Sequence, residues 1–257
     1  MLLDNYFIFK RTDGLEVLSN ELGKIKSKPE ISRAVRVINH ISIEGRNGTL
    51  TEDTGSYNNI EISISLINYT ENILDKEVIG LIDGRGGELR LSLLNGWFKV
   101  KEVNNFIITE EVQGIFNIEI TFVCGPFRYL DEETIEIISS DTDIFISGNI
   151  ETNHITTILG DGDISLFIND EQINFKSVDK YITIDTDRLI CYKDNDPANN
   201  KMVGEFLKLN SGINNIKWIG NVSGIEISYR GRFLNLLDCL VIQKLTSLIM
   251  GYMYLMI

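Results

Sequence analysis

Asn59-Ile60-Glu61-Ile62-Ser63-Ile64-Ser65-Leu66-Ile67 is one of two stretches that decide the fold class. The other is Gly114-Ile115-Phe116-Asn117-Ile118-Glu119-Ile120-Thr121-Phe122-Val123-Cys124-Gly125-Pro126-Phe127. In the first, Ile60, Ile62, Ile64 and Leu66 fall on one face of an extended chain, and Glu61, Ser63 and Ser65 on the other. In the second, Phe116, Ile118, Ile120 and Phe122 alternate with Asn117, Glu119 and Thr121. A period of two with one apolar and one polar face belongs to a strand buried on one side. Shorter runs repeat it, Ile135 and Ile137 around Glu136, and Ile225 and Ile227 around Glu226.

Turn chemistry separates these runs: Asp13-Gly14, Asn47-Gly48, Asp83-Gly84, Asn95-Gly96, Gly160-Asp161-Gly162-Asp163 and Asn169-Asp170. Pro29, Pro126 and Pro197 interrupt no strong strand run. Many short strands with frequent turns predict a mostly β protein of two sandwich-like domains. One helix is expected between Asn68 and Ile82, where Leu74, Val78, Leu81 and Ile82 recur at helical spacing. Acidic residues thicken at Asp131, Glu132, Glu133, Glu136, Asp141 and Asp143 before the strand pattern restarts. The expected division is therefore 1–135 and 136–234, with an apolar tail at 235–257. In the tail, Leu237, Val241, Leu245, Leu248 and Tyr252 share one helical face. Its uninterrupted apolar run is about ten residues, where a bilayer span takes about 20. A docking helix and a tail outside the native fold both remain open.

With 257 residues and a formal charge of −13, the chain suits one large or two ordinary soluble domains. An acidic surface repels phosphates, so no sequence-specific nucleic acid partner is expected. The N-terminus has neither a basic n-region nor an apolar h-region, so no secretory signal is expected. The Asn-x-Ser/Thr sequences at Asn47, Asn68 and Asn221 are accordingly set aside. Cys124, Cys191 and Cys239 are far apart in sequence and read as buried free thiols rather than zinc ligands or disulfides.

Candidate chemistry is sparse. The two histidines, His40 and His154, have no triad or metal partner assignable by spacing. Asp161 with Asp163, and Asp185 with Asp187, are the best acidic pairs for calcium or glycosidase work. Asp-Gly is also ordinary turn chemistry, and the turn reading is preferred. Gly84, Gly86 and Gly87 lack the Lys-Ser/Thr of a phosphate loop. Trp97 and Trp218 sit in apolar strand surroundings and read as core. No catalytic, cofactor or metal residue is assigned, and the chain is not expected to be an enzyme. The candidate carbohydrate contacts are Trp218 and Tyr181.

Five pieces recur in a fixed order: Ile43-Glu44-Gly45-Arg46-Asn47-Gly48-Thr49-Leu50, the strand from Asn59, Gly86-Gly87-Glu88-Leu89-Arg90-Leu91, Phe98-Lys99-Val100, and Gly114 to Pro126. In that order the block resembles the N-terminal domain of phage distal tail proteins, which form the tail-tip or baseplate hub of long-tailed phages. Gly160-Asp161-Gly162-Asp163-Ile164, Tyr181-Ile182-Thr183-Ile184-Asp185 and Leu209 to Ile216 are similar to the galectin-type, carbohydrate-module-like sandwich that often follows. The apolar tail departs from the family pattern. The resemblance implies a hexameric ring at the virion tail tip, assembled in the host cytoplasm, whose lumen passes DNA. It implies self-association, a tail tube protein, a tail-associated hub or fibre protein and a receptor-binding protein as partners, without membrane or cofactor. The competing expectation is a carbohydrate- or cell-surface-binding sandwich without catalysis.

Overall fold

The computed structural model describes residues 5–70 and 80–234. The protein is mostly β, with large antiparallel sheets in two compact units. Among the described residues, 5–129 with 234 make the first unit and 130–233 the second.

The first unit runs β1 (Phe7–Arg11), β2 (Glu16–Leu18), the one-turn α1 (Ser19–Leu22), β3 (Lys24–Ile25), β4 (Arg36–Ser42), β5 (Thr49–Tyr57), β6 (Ile60–Asn68), β7 (Gly87–Leu91), β8 (Trp97–Val112) and β9 (Ile115–Ile137). Its sheet has the order β6-β9-β8-β7-β1-β2, with β3 on the outer edge of β6. The two deciding stretches pair with each other: Ile60 stands opposite Cys124, Ile62 opposite Phe122, Ile64 opposite Ile120 and Leu66 opposite Ile118. All eight are buried, as is Phe116, so the period-two reading assigned the faces of Ile60 to Leu66 and of Phe116 to Phe122 correctly. The Phe122 ring meets Phe7 at 5.7 Å and Phe9 at 5.2 Å, both edge-on. β1 lies three strands from β9 in the sheet order, so these contacts require the sheet to curl and close its apolar face on itself. Trp97 is buried and stacks on Tyr129 at 5.0 Å, as its apolar surroundings predict. The turn after β1 is fastened by Arg11, which pairs with Asp13 and Asp83 and donates to the carbonyls of Gly80 and Leu81.

The second unit takes the last residues of β9, then β10 (Thr142–Ile146), β11 (His154–Ile168), β12 (Glu171–Val178), β13 (Tyr181–Asp185), β14 (Ile190–Lys193), β15 (Asp196–Pro197), β16 (Met202–Val203) and β17 (Gly212–Phe233). β11 and β17 each serve two sheets. Near their junction with β12, Ser165 to Ile168 pair with Ile216 to Ile219, giving the order β10-β17-β11-β12-β16. Toward the other end, His154 to Leu159 pair with Gly224 to Tyr229, and β13, β14 and β15 continue outward. Ile164, Leu166, Phe175 and Ile216 from the first sheet and Ile158, Ile182, Ile184 and Ile227 from the second share one core. This is a sandwich whose two long strands cross from layer to layer.

The crossing corrects one expectation. Gly160-Asp161-Gly162-Asp163 is not a turn between strands; it lies inside β11, where the register with β17 shifts twice. Asp161 Oδ1 accepts the Lys180 backbone N–H at 2.9 Å, and Asp163 Oδ1 accepts that of Ser177 at 2.9 Å. A Cβ on Gly160 would lie 2.3 Å from the Asn221 carbonyl oxygen, so only glycine permits this approach. The carboxylates satisfy a neighbouring bend, and the chain continues as a bulged strand.

Of the helix expected at Asn68 to Ile82, the greater part lies outside the described residues, as does the expected tail helix at 235–257. No helix among the described residues is long and apolar enough to cross a membrane.

Candidate functional site

β4 and β5 form a two-stranded sheet of their own, separate from the main sheet of the first unit. The β-branched residues Val37, Ile38, Ile41, Thr49, Thr51 and Thr54 favour extended chain, and the connection from residue 43 to 48 closes with Arg46 N–H donating to the Ile43 carbonyl at 3.2 Å. The ribbon is fastened at its base. Asn58 N–H donates to the Val35 carbonyl at 2.9 Å, and the Tyr57 ring packs edge-on against Phe127 at 5.8 Å. The Arg36 guanidinium lies over Tyr57 at 5.6 Å and pairs with Asp53 at 2.7 Å. That hydrogen bond holds the Asp53 carboxyl below the usual carboxylate range.

Beyond this base, every residue from 38 to 56 is exposed. Ile41 and Leu50 are direct cross-strand partners at 45% and 42% exposure, and Ile38 and Ile43 add 44% and 45%. An isolated two-stranded ribbon is marginal in water, and this one shows apolar side chains as well. The Asn47-Gly48 turn was expected, but not the exposure of the strands it joins. The available signal was polar residues on both faces: Asn39 and Glu52 on one, His40 and Thr51 on the other. His40 is thus an exposed ribbon residue.

The acidic pairs singled out by sequence are structural. Asp161 and Asp163 brace the bend at Ser177 to Lys180 as described. Asp185 Oδ1 accepts the N–H groups of Asp187 and Arg188, both at 3.0 Å, and Asp187 accepts from the Asn153 amide at 2.8 Å. Among the described residues, no group of three or more His, Cys, Asp or Glu is placed to hold a metal. His154 is buried at 4% exposure, between Thr156 Oγ1 at 2.6 Å and the Leu207 carbonyl at 3.0 Å. Burial lowers its pKa to about 4. The Cys124 and Cys191 thiols are fully buried, which raises them to about 12 and about 11. Neither is available as a thiolate nucleophile near neutral pH.

Trp218 and Tyr181 are not brought together. Trp218 stands opposite the buried Leu166, in step with buried Asn214 and Ile216, and packs partly into the second core. Tyr181 stands opposite Leu159, which is 43% exposed, on the outer face of the sandwich. One face of its ring is covered by Lys193 Nζ at 5.5 Å, and its hydroxyl donates to Asp194.

No protein-family model and no curated protein matches the chain. Among solved structures, it is similar to the crystal structure of SPP1 Dit (gp 19.1), with a TM-score of 0.68 at 11% sequence identity. The match covers 89% of this chain and 99% of that one. It shares that fold. SPP1 Dit is described as a paradigm of the hub adsorption apparatus in Gram-positive infecting phages. At so low an identity, the likeness is one of fold alone.

Proposed function

We propose that the protein is a structural component of a phage tail tip or baseplate, building a hexameric ring rather than catalysing a reaction. The exposed ribbon β4–β5 carries this reading. Nine residues in β5 reach about 30 Å at roughly 3.3 Å per residue, long enough to lie across a neighbouring copy. Repeated head to tail, such a contact closes into a ring when the rotation fits. The likeness of fold to a hub protein supports the same role.

In that assembly the first unit forms the ring, facing a tail tube protein on one side and a tail-associated hub or fibre protein on the other. The second unit, galectin-like in this reading, carries receptor-binding proteins. A chain of net charge −13 suits a lumen that passes DNA without holding it. The carbohydrate-module reading has less support, since Trp218 packs partly into the core and one face of the Tyr181 ring is already covered.

The test is substitution of Ile38, Ile41 and Leu50 together by serine. The reading predicts folded protein, with unchanged circular dichroism and tryptophan fluorescence, that no longer assembles. Unchanged assembly by that triple variant would remove the ribbon as the ring contact.

A further inference from the structure

We infer that Asn47, at the tip of the ribbon, is a site of spontaneous deamidation that places a new carboxylate on the assembly surface. The chain has two Asn-Gly steps, Asn47-Gly48 and Asn95-Gly96. The structure treats them differently.

Asn47 and Gly48 are both exposed in the bend between β4 and β5. Among the described residues, no hydrogen bond holds the Asn47 side chain or the Gly48 N–H, and no ion pair or ring contact involves either residue. Gly48 has φ +81 with no heavy atom within 4 Å of where a Cβ would stand. The space around its Cα is therefore open, and both residues face solvent. Asn95-Gly96 is the protected case. Gly96 is buried beside buried Trp97, and the Asn95 carbonyl accepts from Arg128, which is 2% exposed.

The step needs only water. The Gly48 backbone nitrogen gives up its proton and bonds to Asn47 Cγ. The Cγ–Nδ2 bond breaks, and the departing nitrogen leaves with that proton as ammonia. Water then opens the cyclic imide at either carbonyl, giving aspartate or isoaspartate. Aspartate adds a negative charge three residues along the chain from Glu44. Isoaspartate also inserts a methylene into the backbone two residues from the paired Thr49, displacing its register with Ser42. The consequence for assembly rests on the proposed ring reading; the modification itself does not.

Full-length native protein and its protease digest are aged side by side in mildly alkaline buffer, and both asparagines are followed by peptide mass mapping. Asn47 should convert in the folded chain at a rate close to that in the digest. Asn95 should convert at least about tenfold more slowly than in the digest, because it waits for local opening. Gly48→Ala should slow Asn47 in both samples. An intact Asn47 in folded protein, when the digest has converted, overturns the inference. The Asn47→Asp protein should sediment with a smaller assembled fraction than the unmodified chain; equal fractions would overturn the link to assembly. If the unmodified chain forms no assembly at all, the ring reading fails while the mass mapping still decides the modification.

Discussion

Acid should weaken the second unit through a single buried histidine. The Leu207 carbonyl can only accept, so His154 Nε2 carries the proton in the neutral ring, and Nδ1 accepts from the Thr156 hydroxyl. Protonation leaves both contacts possible, because the Thr156 hydroxyl can turn and accept. What it adds is a charge at a site 4% exposed, with buried Asp185 offering only partial compensation. The pKa falls from 6.5 unfolded to about 4 folded. In that window the unfolded chain binds the proton and the native chain does not, so stability falls as pH falls. A shift of about 2.5 units corresponds to about 3 kcal/mol, fully present above 6.5 and lost by about 4. His154→Gln keeps an N–H for Leu207 but cannot titrate. Urea unfolding would be followed by Trp218 fluorescence in a Trp97→Phe background, for both proteins, at neutral pH and just above pH 4. The wild type should lose about 3 kcal/mol more than the variant over that range. Equal losses in the two proteins would refute the reasoning.

Further perturbations separate the core from the ribbon. Phe122→Ala removes a fully buried ring and should cost the first unit about 3–5 kcal/mol by urea titration of Trp97 fluorescence. Ile41→Ser, on the ribbon, should cost less than about 1 kcal/mol by the same measurement. Gly160→Ala should destabilise the second unit by about 1–3 kcal/mol, because its Cβ meets a backbone carbonyl that cannot retreat without moving β17; a neutral result would contradict the crossing geometry. In a Cys239→Ser protein, Cys124 and Cys191 should resist a thiol reagent at neutral pH until denaturant is added. Rapid labelling of the folded chain would show that burial does not protect them.

The strand faces were legible because burial on one side imposes a period of two: Ile60 to Leu66 and Phe116 to Phe122 declare their inner face and pair with each other. Trp97 was legible as core from its apolar surroundings instead, since its neighbour Phe98 is buried as well. Gly160 to Asp163 was not, because Asp-Gly has the same local chemistry in a hairpin turn and in a bulge. The outcome depends on Ser177 and Lys180, which follow Asp163 and Asp161 by 14 and 19 residues. His154 was equally opaque, since its ring is held by the Leu207 carbonyl, 53 residues away. The ribbon was half legible. Asn47-Gly48 marks its turn, but the exposure of Ile41 and Leu50 depends on what covers them, which one chain's sequence does not encode.

The central claim is a closed ring of identical copies. It is tested most directly by the mass of the purified full-length chain in solution, measured by light scattering over a range of concentrations, with negative-stain images of the same sample. The account predicts six copies per particle and six-fold rings. A mass of one copy at every concentration, with no rings in the images, would contradict it.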